Sequence, residues 1–161
     1  MSTRFHVLML GTLMAALGAA RAQAADYATV VLDTGVDRPA DEVWKKVGGY
    51  CDIGTWLKLS CVYTSGTGGL GTVRRLADRI DEVMVAQTPH SYTYTQPNTT
   101  ILYHGTLAVE ADGAKHSKLV YSLFWDQSGE KTDEAKAADR AQRTKMFTAA
   151  LASMKKLAES N

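Results

Sequence analysis

The sequence predicts a single-domain α+β protein, and three observations support this fold class. From residue 60 to residue 127, apolar and polar side chains alternate with a period of two, which is typical of β-strands. Short turn sequences separate these segments, so successive strands should pair antiparallel. After residue 127 the period lengthens to that of an amphipathic helix, over residues 132–159. A sheet covered by one long helix is a two-layer α+β design.

Residues 1–24 have the pattern of an export signal. Arg4 precedes an uncharged run of apolar and small residues, and small residues at alternate positions then allow cleavage after Ala22 or Ala24. The run is short for a membrane span and no stop-transfer segment follows it, so a retained membrane anchor is the less favoured alternative. Residues 25–161 are therefore expected to form the single domain of an exported protein, periplasmic or secreted.

The charge of the mature chain argues against some classes of partner. Two of the 18 basic residues, Arg4 and Arg21, belong to the signal, so 16 basic and 17 acidic residues remain and the net charge is −1. The sequence has no basic run and no aromatic residues interleaved with basic ones, so we expect no nucleic acid as a partner. It also lacks a basic patch for a membrane surface. We expect a monomer or weak dimer without stable membrane insertion.

The domain is expected to begin with a strand and two helices. Residues 28–37 alternate in the manner of a strand. A proline at the first turn, two acidic residues near the amino terminus and a pair of glycines at the end bound a helix over residues 40–47. Residues 50–59 are expected to form a second short helix, which contributes Trp56 and Leu57 to the core.

Cys51 and Cys61 are the two cysteines of the chain. In an oxidising compartment they could form a disulfide. If the nine residues between them are largely helical, a rise of about 1.5 Å per residue separates the two Cα atoms beyond disulfide reach. A disulfide and a pair of buried free thiols both remain open, and this geometric argument favours the thiols.

Six further strands are expected, each bounded by turn-forming residues. They are predicted over residues 60–65, 71–78, 80–87, 91–96, 101–112 and 117–127. The alternation in the last two separates an inward face from an outward face that includes His104. The inward residues are rich in aromatic rings: Tyr103, Gly105, Leu107, Val109, Leu119, Tyr121, Leu123 and Trp125. The apolar stripe of the final helix consists of Phe147, Ala150, Leu151, Met154 and Ala158.

Arg74 and Glu82 lie on neighbouring strand segments, on either side of a tight turn predicted at residues 78–81. This turn allows the two side chains to face each other across a hairpin. They form either an exposed pair at the surface or a polar pair inside a cavity, where each charge needs a partner. The sequence leaves both arrangements open.

Other kinds of site receive little support from the sequence. A glycine-rich segment at residues 66–71 leads into a strand and not into a helix, which favours a hairpin turn over a phosphate-binding loop. No motif for nucleophilic catalysis is present. The four histidines show no spacing typical of metal ligands, so neither a metal nor another cofactor is expected.

The order of the elements and several local patterns resemble those of the helix-grip (SRPBCC) superfamily. This group contains the START lipid-transfer domains, the Bet v 1-like plant proteins and the bacterial polyketide cyclase/dehydrase proteins. The matching segments, which span essentially all of the mature chain, are residues 36–44, the region of Trp56, residues 60–62, residues 69–74, Glu82, Leu157 and Ala158. The resemblance implies a seven-stranded curved antiparallel sheet, in the order β-α-α-β6-α, that wraps around a long carboxyl-terminal helix. Between them it implies a cavity for a hydrophobic or amphipathic small molecule.

The resemblance also implies roles for individual residues. Arg74 and Glu82 match strand positions that contribute polar groups to the cavity in the plant hormone receptors of this group. Tyr103 and Tyr121 match pocket-facing positions, with simple packing in a filled core as the alternative. The expected ligand-binding residues are Arg74, Glu82, Tyr103, Leu107, Tyr121, Leu123, Trp125, Phe147, Leu151 and Met154.

Three functions are compatible with these residues. We favour an exported protein that binds a hydrophobic small molecule, aromatic or lipid-like, between the sheet and the final helix. The alternative is an enzyme of the cyclase, dehydratase or lyase type that uses the same cavity. No catalytic residue is assigned, and the weak candidates for acid–base chemistry are Glu82, Tyr103 and Tyr121. The third function is that of a protein with a filled core that binds another protein at its surface.

Overall fold

A computed structural model of the chain describes residues 25–160. The elements in this range begin and end close to the positions predicted from the sequence. The helices are α1 (Ala40–Val47), α2 (Ile53–Leu57) and α3 (Asp133–Glu159). The strands are β1 (Tyr27–Val36), β2 (Cys61–Ser65), β3 (Val73–Leu76), β4 (Ile80–Thr88), β5 (Ser91–Thr95), β6 (His104–Ala111) and β7 (Ser117–Asp126).

The seven strands form one antiparallel sheet in the order β1-β7-β6-β5-β4-β3-β2. From β2 to β7 each strand pairs with the next one along the chain, as short turns favour. Strand β1 is separated from β2 by α1 and α2, and it pairs with β7 over all ten of its residues. The curved sheet and the long α3 confirm the predicted α+β, helix-grip fold.

Burial along the strands follows the predicted alternation. The inner face of β6 and β7 buries the residues predicted to point inward. Strand β5 adds two buried tyrosines, Tyr92 and Tyr94. This face packs against α3, with the ring centroids of Tyr121 and Phe147 4.4 Å apart. Full burial of a large apolar side chain contributes about 1.5–3 kcal/mol, so the aromatic-rich face is the main source of the core.

Helix α3 has two halves with different surroundings. Thr132 caps its amino terminus, because the Thr132 hydroxyl accepts a hydrogen bond from the N–H of Ala135 at 3.1 Å. No side chain in residues 133–146 is buried. The second half buries the predicted stripe, which is Phe147, Ala150, Leu151, Met154 and Ala158. The second half therefore packs on the sheet, whereas the first half is left to make polar contacts.

Helix α2 is shorter than predicted, and this changes the geometry of the two cysteines. It has five residues, and Lys58 ends it in the left-handed conformation (φ 57°, ψ 50°) with its N–H donated to the carbonyl of Gly54. The chain then turns back, and Cys51 and Cys61 form a disulfide with their Cα atoms 5.6 Å apart. The expectation that a helix would hold the cysteines apart is wrong, because the helix occupies only part of the intervening segment.

Residues 1–24, which carry the predicted export signal, lie outside the described residues. Export, and cleavage after Ala22 or Ala24, therefore stay predictions. Among the helices between residues 25 and 160, none combines the length and the apolarity that a bilayer span requires.

Candidate functional site

A hairpin places Arg74 of β3 directly opposite Glu82 of β4. The connecting turn lies at residues 77–79, slightly earlier than predicted, and two of its residues adopt the positive φ that suits hairpin turns. Pairing of Leu76 with Ile80 next to the turn sets the register, so the two charged side chains come to lie on the same face.

Both charged side chains are buried. The exposed fraction is 0% for Arg74 and 3% for Glu82. Of the two arrangements that the sequence left open, the structure has the interior one. A buried charge is unfavourable unless it is paired and hydrogen-bonded, so this pair requires partners for its remaining donors and acceptors.

Hydrogen bonds meet this requirement. Nε and Nη2 of Arg74 donate to Oε2 of Glu82 at 2.8 and 2.6 Å, and Nη1 donates to the carbonyl oxygen of Tyr50. Nε2 of Gln96 donates to the other carboxylate oxygen, Oε1, at 3.0 Å. All three nitrogens of the guanidinium and both oxygens of the carboxylate therefore have partners.

Aromatic rings enclose the guanidinium of Arg74. Its Cζ lies 4.1 Å from the ring centroid of Tyr50, 4.8 Å from that of Tyr94 and 5.6 Å from that of Tyr92. Burial lowers the pKa of Arg74, but nearby groups, Tyr92 and Glu82 first among them, together outweigh this effect and the pKa lies above its ordinary value. Arg74 is therefore a charged and enclosed residue that holds Glu82 in place.

A cavity of about 260 Å³ lies beside Glu82, between α2, the sheet and the middle of α3. Its volume is just below the range of about 300–1,000 Å³ that is usual for small-molecule pockets. Arg143 and Met146 are among the lining residues with partial solvent exposure, so the cavity is open to solvent on its α3 side. The lining is mostly apolar: Ile53, Leu57, Leu59, Leu76, Ile80, Glu82, Tyr94, Gln96, Tyr103, Arg143, Met146 and Phe147.

The structure brings together only part of the predicted ligand-binding set. Three of these residues line the cavity: Glu82, Tyr103 and Phe147. Arg74 lies behind Glu82 and is not part of the lining. Four others are buried in the core without lining it: Leu107, Tyr121, Leu123 and Met154. Trp125 lines a separate small cavity of about 50 Å³, and Leu151 lines a groove of about 330 Å³ beside β1.

The buried tyrosines keep their protons at neutral pH. Burial raises the pKa of Tyr103 to about 12. It also raises the pKa values of Tyr94 and Tyr121 well above the ordinary value. The hydroxyls of Tyr94 and Tyr121 hydrogen-bond to each other at 2.8 Å. In this environment a tyrosine hydroxyl is suited to hydrogen bonding and not to accepting a proton.

Sequence reasoning missed several residues of the cavity wall, although a signal existed for some of them. Arg143 lies one helical turn before Phe147, and Asp139 lies one turn before Arg143, so charged residues continue the apolar stripe of α3. Tyr94 and Gln96 are two residues apart, a spacing that places side chains on one face of a strand. The α2 residues had no comparable signal, because the reversal after that helix decides where they lie.

The disulfide closes a segment that forms one wall of the cavity. Ile53, Leu57 and Leu59 lie between Cys51 and Cys61, and all three line the cavity. Since a crosslink restricts the conformations open to the segment that it closes, the bond limits how far this wall can move.

Several solved structures share this architecture. The ZhuI aromatase/cyclase from a Streptomyces species is 19% identical, with a TM-score of 0.68 over 83% of this chain and 94% of that one. XoxI from Bacillus cereus is 21% identical, with a TM-score of 0.66 over 80% and 94%. A point mutant of norcoclaurine synthase from Thalictrum flavum is 16% identical, with a TM-score of 0.62 over 84% and 96%. At these identities the similarity shows the fold, and a comparison with curated protein sequences finds no match.

The family assignment covers the whole described domain. A family model described as polyketide cyclase/dehydrase and lipid transport matches residues 27–159. This range begins with β1 and ends with α3, so it contains every strand and helix described above. The description names two kinds of function, which are cyclase or dehydrase chemistry and lipid transport. The resemblance to the helix-grip superfamily is confirmed, and the chain belongs to the polyketide cyclase/dehydrase and lipid transport family.

Proposed function

We propose that the protein binds a small hydrophobic molecule in the cavity beside Glu82. One observation carries the proposal: a buried carboxylate forms part of a mostly apolar wall. An apolar lining with a few fixed polar groups is the usual composition of a small-molecule site. The apolar walls supply affinity, and Glu82 sets the orientation of the ligand.

Glu82 can accept one further hydrogen bond from a ligand. Its Oε2 is held by Arg74, and its Oε1 accepts a hydrogen bond from Gln96 at 3.0 Å. A carboxylate oxygen has about two acceptor positions, so Oε1 retains one. A hydroxyl or N–H group of the ligand is the matching donor. It meets a carboxylate that is fixed before binding, which limits the entropy lost on association.

The size and lining of the cavity limit the kind of ligand. A volume of about 260 Å³ suits a compact aromatic molecule or a short lipid-like one. Burial of apolar surface contributes about 25 cal/mol per Å², so contacts with side chains such as Leu57, Ile80 and Phe147 supply most of the affinity. A cavity of this size also counts against the third function considered from the sequence, a filled core with a protein-binding surface.

We also propose that the protein is exported, to the periplasm or out of the cell. The pattern of residues 1–24 supports this location. The Cys51–Cys61 disulfide supports it as well, because such bonds persist in oxidising compartments. Amino-terminal sequencing of the protein from its host tests the proposal. A chain that starts after Ala22 or Ala24 is expected, and a chain that retains Met1 contradicts export.

An enzymatic function is the second candidate, and the tyrosine hydroxyls near Glu82 favour it. Tyr94 and Tyr103 line the same cavity as Glu82. Because burial raises both tyrosine pKa values, these hydroxyls would hydrogen-bond to a substrate oxygen while Glu82 accepts a proton from the substrate. Two structural neighbours, the aromatase/cyclase and the norcoclaurine synthase, carry the names of enzymes. The reaction would be of the cyclase, dehydratase or lyase type.

Native mass spectrometry of the protein purified from its own export compartment tests ligand binding. We expect an adduct that solvent extraction releases and identifies. Leu57→Trp fills the cavity and should abolish the adduct. Leu70→Trp introduces the same side chain at a position that is 68% exposed, and it should retain the adduct. Equal occupancy of the two variants contradicts the proposed site.

The extracted molecule then separates binding from catalysis. It is returned to the purified protein at about pH 7, incubated, and recovered. Recovery of the unchanged molecule supports binding alone. A product that forms with the wild-type protein and not with Glu82→Gln supports the enzyme.

A further inference from the structure

Among residues 25–160, Arg143 is the one cation in the cavity lining, and the sequence analysis assigns it no role. It lies in the first half of α3, where no side chain is buried. The exposed fraction of its side chain is 22%, so it lies at the opening and remains accessible to an entering molecule.

Three contacts fix the orientation of the Arg143 guanidinium. Its Nε donates to the carboxylate of Asp139, at 3.0 Å from Oδ1 and 3.2 Å from Oδ2. The same carboxylate accepts a hydrogen bond from Nε1 of Trp125 at 2.7 Å. The Cζ of Arg143 lies 4.7 Å from the ring centroid of Trp125 and 5.3 Å from that of Tyr103. Hydrogen bonding and stacking together hold the planar group in place before any ligand arrives.

The Nη groups of Arg143 are left free by these contacts. Within residues 25–160, the hydrogen bonds of Arg143 with good geometry are made by Nε to Asp139. The guanidinium also lies close enough to the Tyr103 hydroxyl to offset part of the rise in pKa that burial causes there. An arginine has five N–H donors in a planar fork, so the two Nη groups retain theirs. Arg74 differs, because it uses all three of its nitrogens on protein acceptors. A fixed guanidinium with a free Nη pair is the geometry that binds a carboxylate through two parallel hydrogen bonds.

We propose that the ligand carries an acidic group, and that Arg143 binds this group at the opening of the cavity. The inference rests on the proposed function and deepens it, since it names the chemical class of the ligand as a compact hydrophobic carboxylic acid. The acid end lies at Arg143 on the helix side. The opposite end, when it carries a hydroxyl or N–H group, meets Glu82 on the sheet side. Glu82 does not repel the acid as an uncompensated charge would, because Arg74 neutralises it.

A matched pair of probes tests the acid preference. 2-Naphthylacetic acid and 2-naphthylacetamide have nearly the same shape, and at about pH 7 the acid is ionised. Isothermal titration of the purified protein should show the acid bound about tenfold or more tightly than the amide, the size expected for a hydrogen-bonded pair of charges. Arg143→Met should reduce this ratio to about one.

Arg140→Met is the matched control on the same helix. Arg140 donates to Oε1 of Gln127 and does not line the cavity, so this variant should keep the wild-type ratio. Arg143→Lys keeps the positive charge but lacks the planar pair of Nη donors, so the ratio of acid to amide affinity should be intermediate. The ratio of the two affinities is the quantity compared, because a general loosening of the cavity would weaken the binding of both probes by a similar factor.

Two outcomes overturn the inference and can be told apart. If the wild-type protein binds the acid and the amide equally, or if Arg143→Met keeps the preference, Arg143 does not recognise an acid. The proposed function still stands in that case, provided that Leu57→Trp abolishes binding of both probes. If the wild-type protein binds neither probe and carries no native adduct, the proposed function fails together with the inference that rests on it. If it binds neither probe but carries an adduct that Leu57→Trp abolishes, the proposed function stands and the inferred acid class is wrong.

Discussion

Two arginine–carboxylate pairs border the same cavity, and they are built in opposite ways. The pair on the sheet, Arg74 and Glu82, joins two strands and is buried, and every nitrogen and oxygen in it has a partner. The pair on the helix, Arg143 and Asp139, joins positions four residues apart in α3 and is partly exposed. Within the described residues, its guanidinium hydrogen-bonds to the carboxylate of Asp139 through Nε, and its Nη groups lie near the cavity and the Tyr103 hydroxyl.

The difference shows how burial decides what an ion pair can do. Inside the protein a hydrogen-bond donor without an acceptor is strongly unfavourable, so each guanidinium nitrogen of Arg74 bonds to a protein acceptor. Arg74 thereby holds Glu82 at the wall of the cavity. At the opening water can satisfy the Nη groups of Arg143, so they stay available for a ligand. We therefore expect the sheet pair to control stability and the helix pair to control ligand selectivity. Four measurements test this division of roles.

Loss of Arg74 should have the largest effect on stability. Arg74→Met leaves the carboxylate of Glu82 buried without its partner, and we expect the free energy of unfolding to fall by about 3–5 kcal/mol. Urea denaturation measures this change. The double variant Arg74→Met with Glu82→Leu removes both charges and should recover much of the loss. A double variant no more stable than Arg74→Met would show that the unpaired carboxylate of Glu82 does not cause the loss of stability.

Loss of the disulfide should have the next largest effect. Reduction of Cys51–Cys61 should lower the free energy of unfolding by about 3 kcal/mol, because the unfolded chain gains conformational freedom. It should also weaken binding of 2-naphthylacetamide, since α2 supplies one wall of the cavity. Unfolding and titration with and without reductant measure both effects. The double variant Cys51→Ser with Cys61→Ser is the control and should not respond to reductant. Unchanged affinity after reduction would show that the wall does not depend on the bond.

Alkaline pH should lower the free energy of unfolding, because it removes protons from the buried tyrosines beside the sheet. Burial raises the pKa of Tyr103 from 10.0 to about 12, so the folded state holds this proton more tightly than the unfolded state. The raised pKa of Tyr103 contributes about 2–3 kcal/mol to the free energy of unfolding. This contribution is fully present below about pH 10 and is lost as the pH rises toward about 12. Unfolding free energies across this range should fall with pH, and they should fall less steeply in Tyr103→Phe. An identical decline in that variant would exclude Tyr103 as a contributor.

Loss of Arg143 should have the smallest effect on stability. An exposed or partly exposed ion pair contributes about 0–1 kcal/mol, so Arg143→Met should lower the free energy of unfolding by no more than about 1 kcal/mol. The same urea denaturation used for Arg74→Met gives a direct comparison. A loss as large as that of Arg74→Met would remove the distinction between the two pairs.

Much of the sheet follows from the sequence alone. The alternation of residues predicts which side chains of β6 and β7 enter the core, because successive side chains of a strand point to opposite faces. The short connection between β3 and β4 predicts that Arg74 and Glu82 face each other, because turn length sets the register of a hairpin. The helical period after residue 127 predicts α3 and its buried stripe.

The position of the cavity could not be predicted in the same way. Leu107, Tyr121, Leu123 and Met154 lie on the expected faces, yet neighbouring side chains fill the space around them. Leu59 lines the cavity because α2 ends at the left-handed Lys58 and the chain reverses there. That reversal also brings the two cysteines together, against the geometric expectation drawn from a longer helix.

The α+β class, the order of the elements, the faces of the strands and the opposition of Arg74 and Glu82 can all be read from the sequence. These are properties of local period and turn length, which act over a few residues. The burial of this pair, the bond between Cys51 and Cys61 and the position of Arg143 at the cavity follow from the packing of the folded chain. These properties depend on how α2 and the first half of α3 lie against the sheet, and packing between distant segments sets that arrangement.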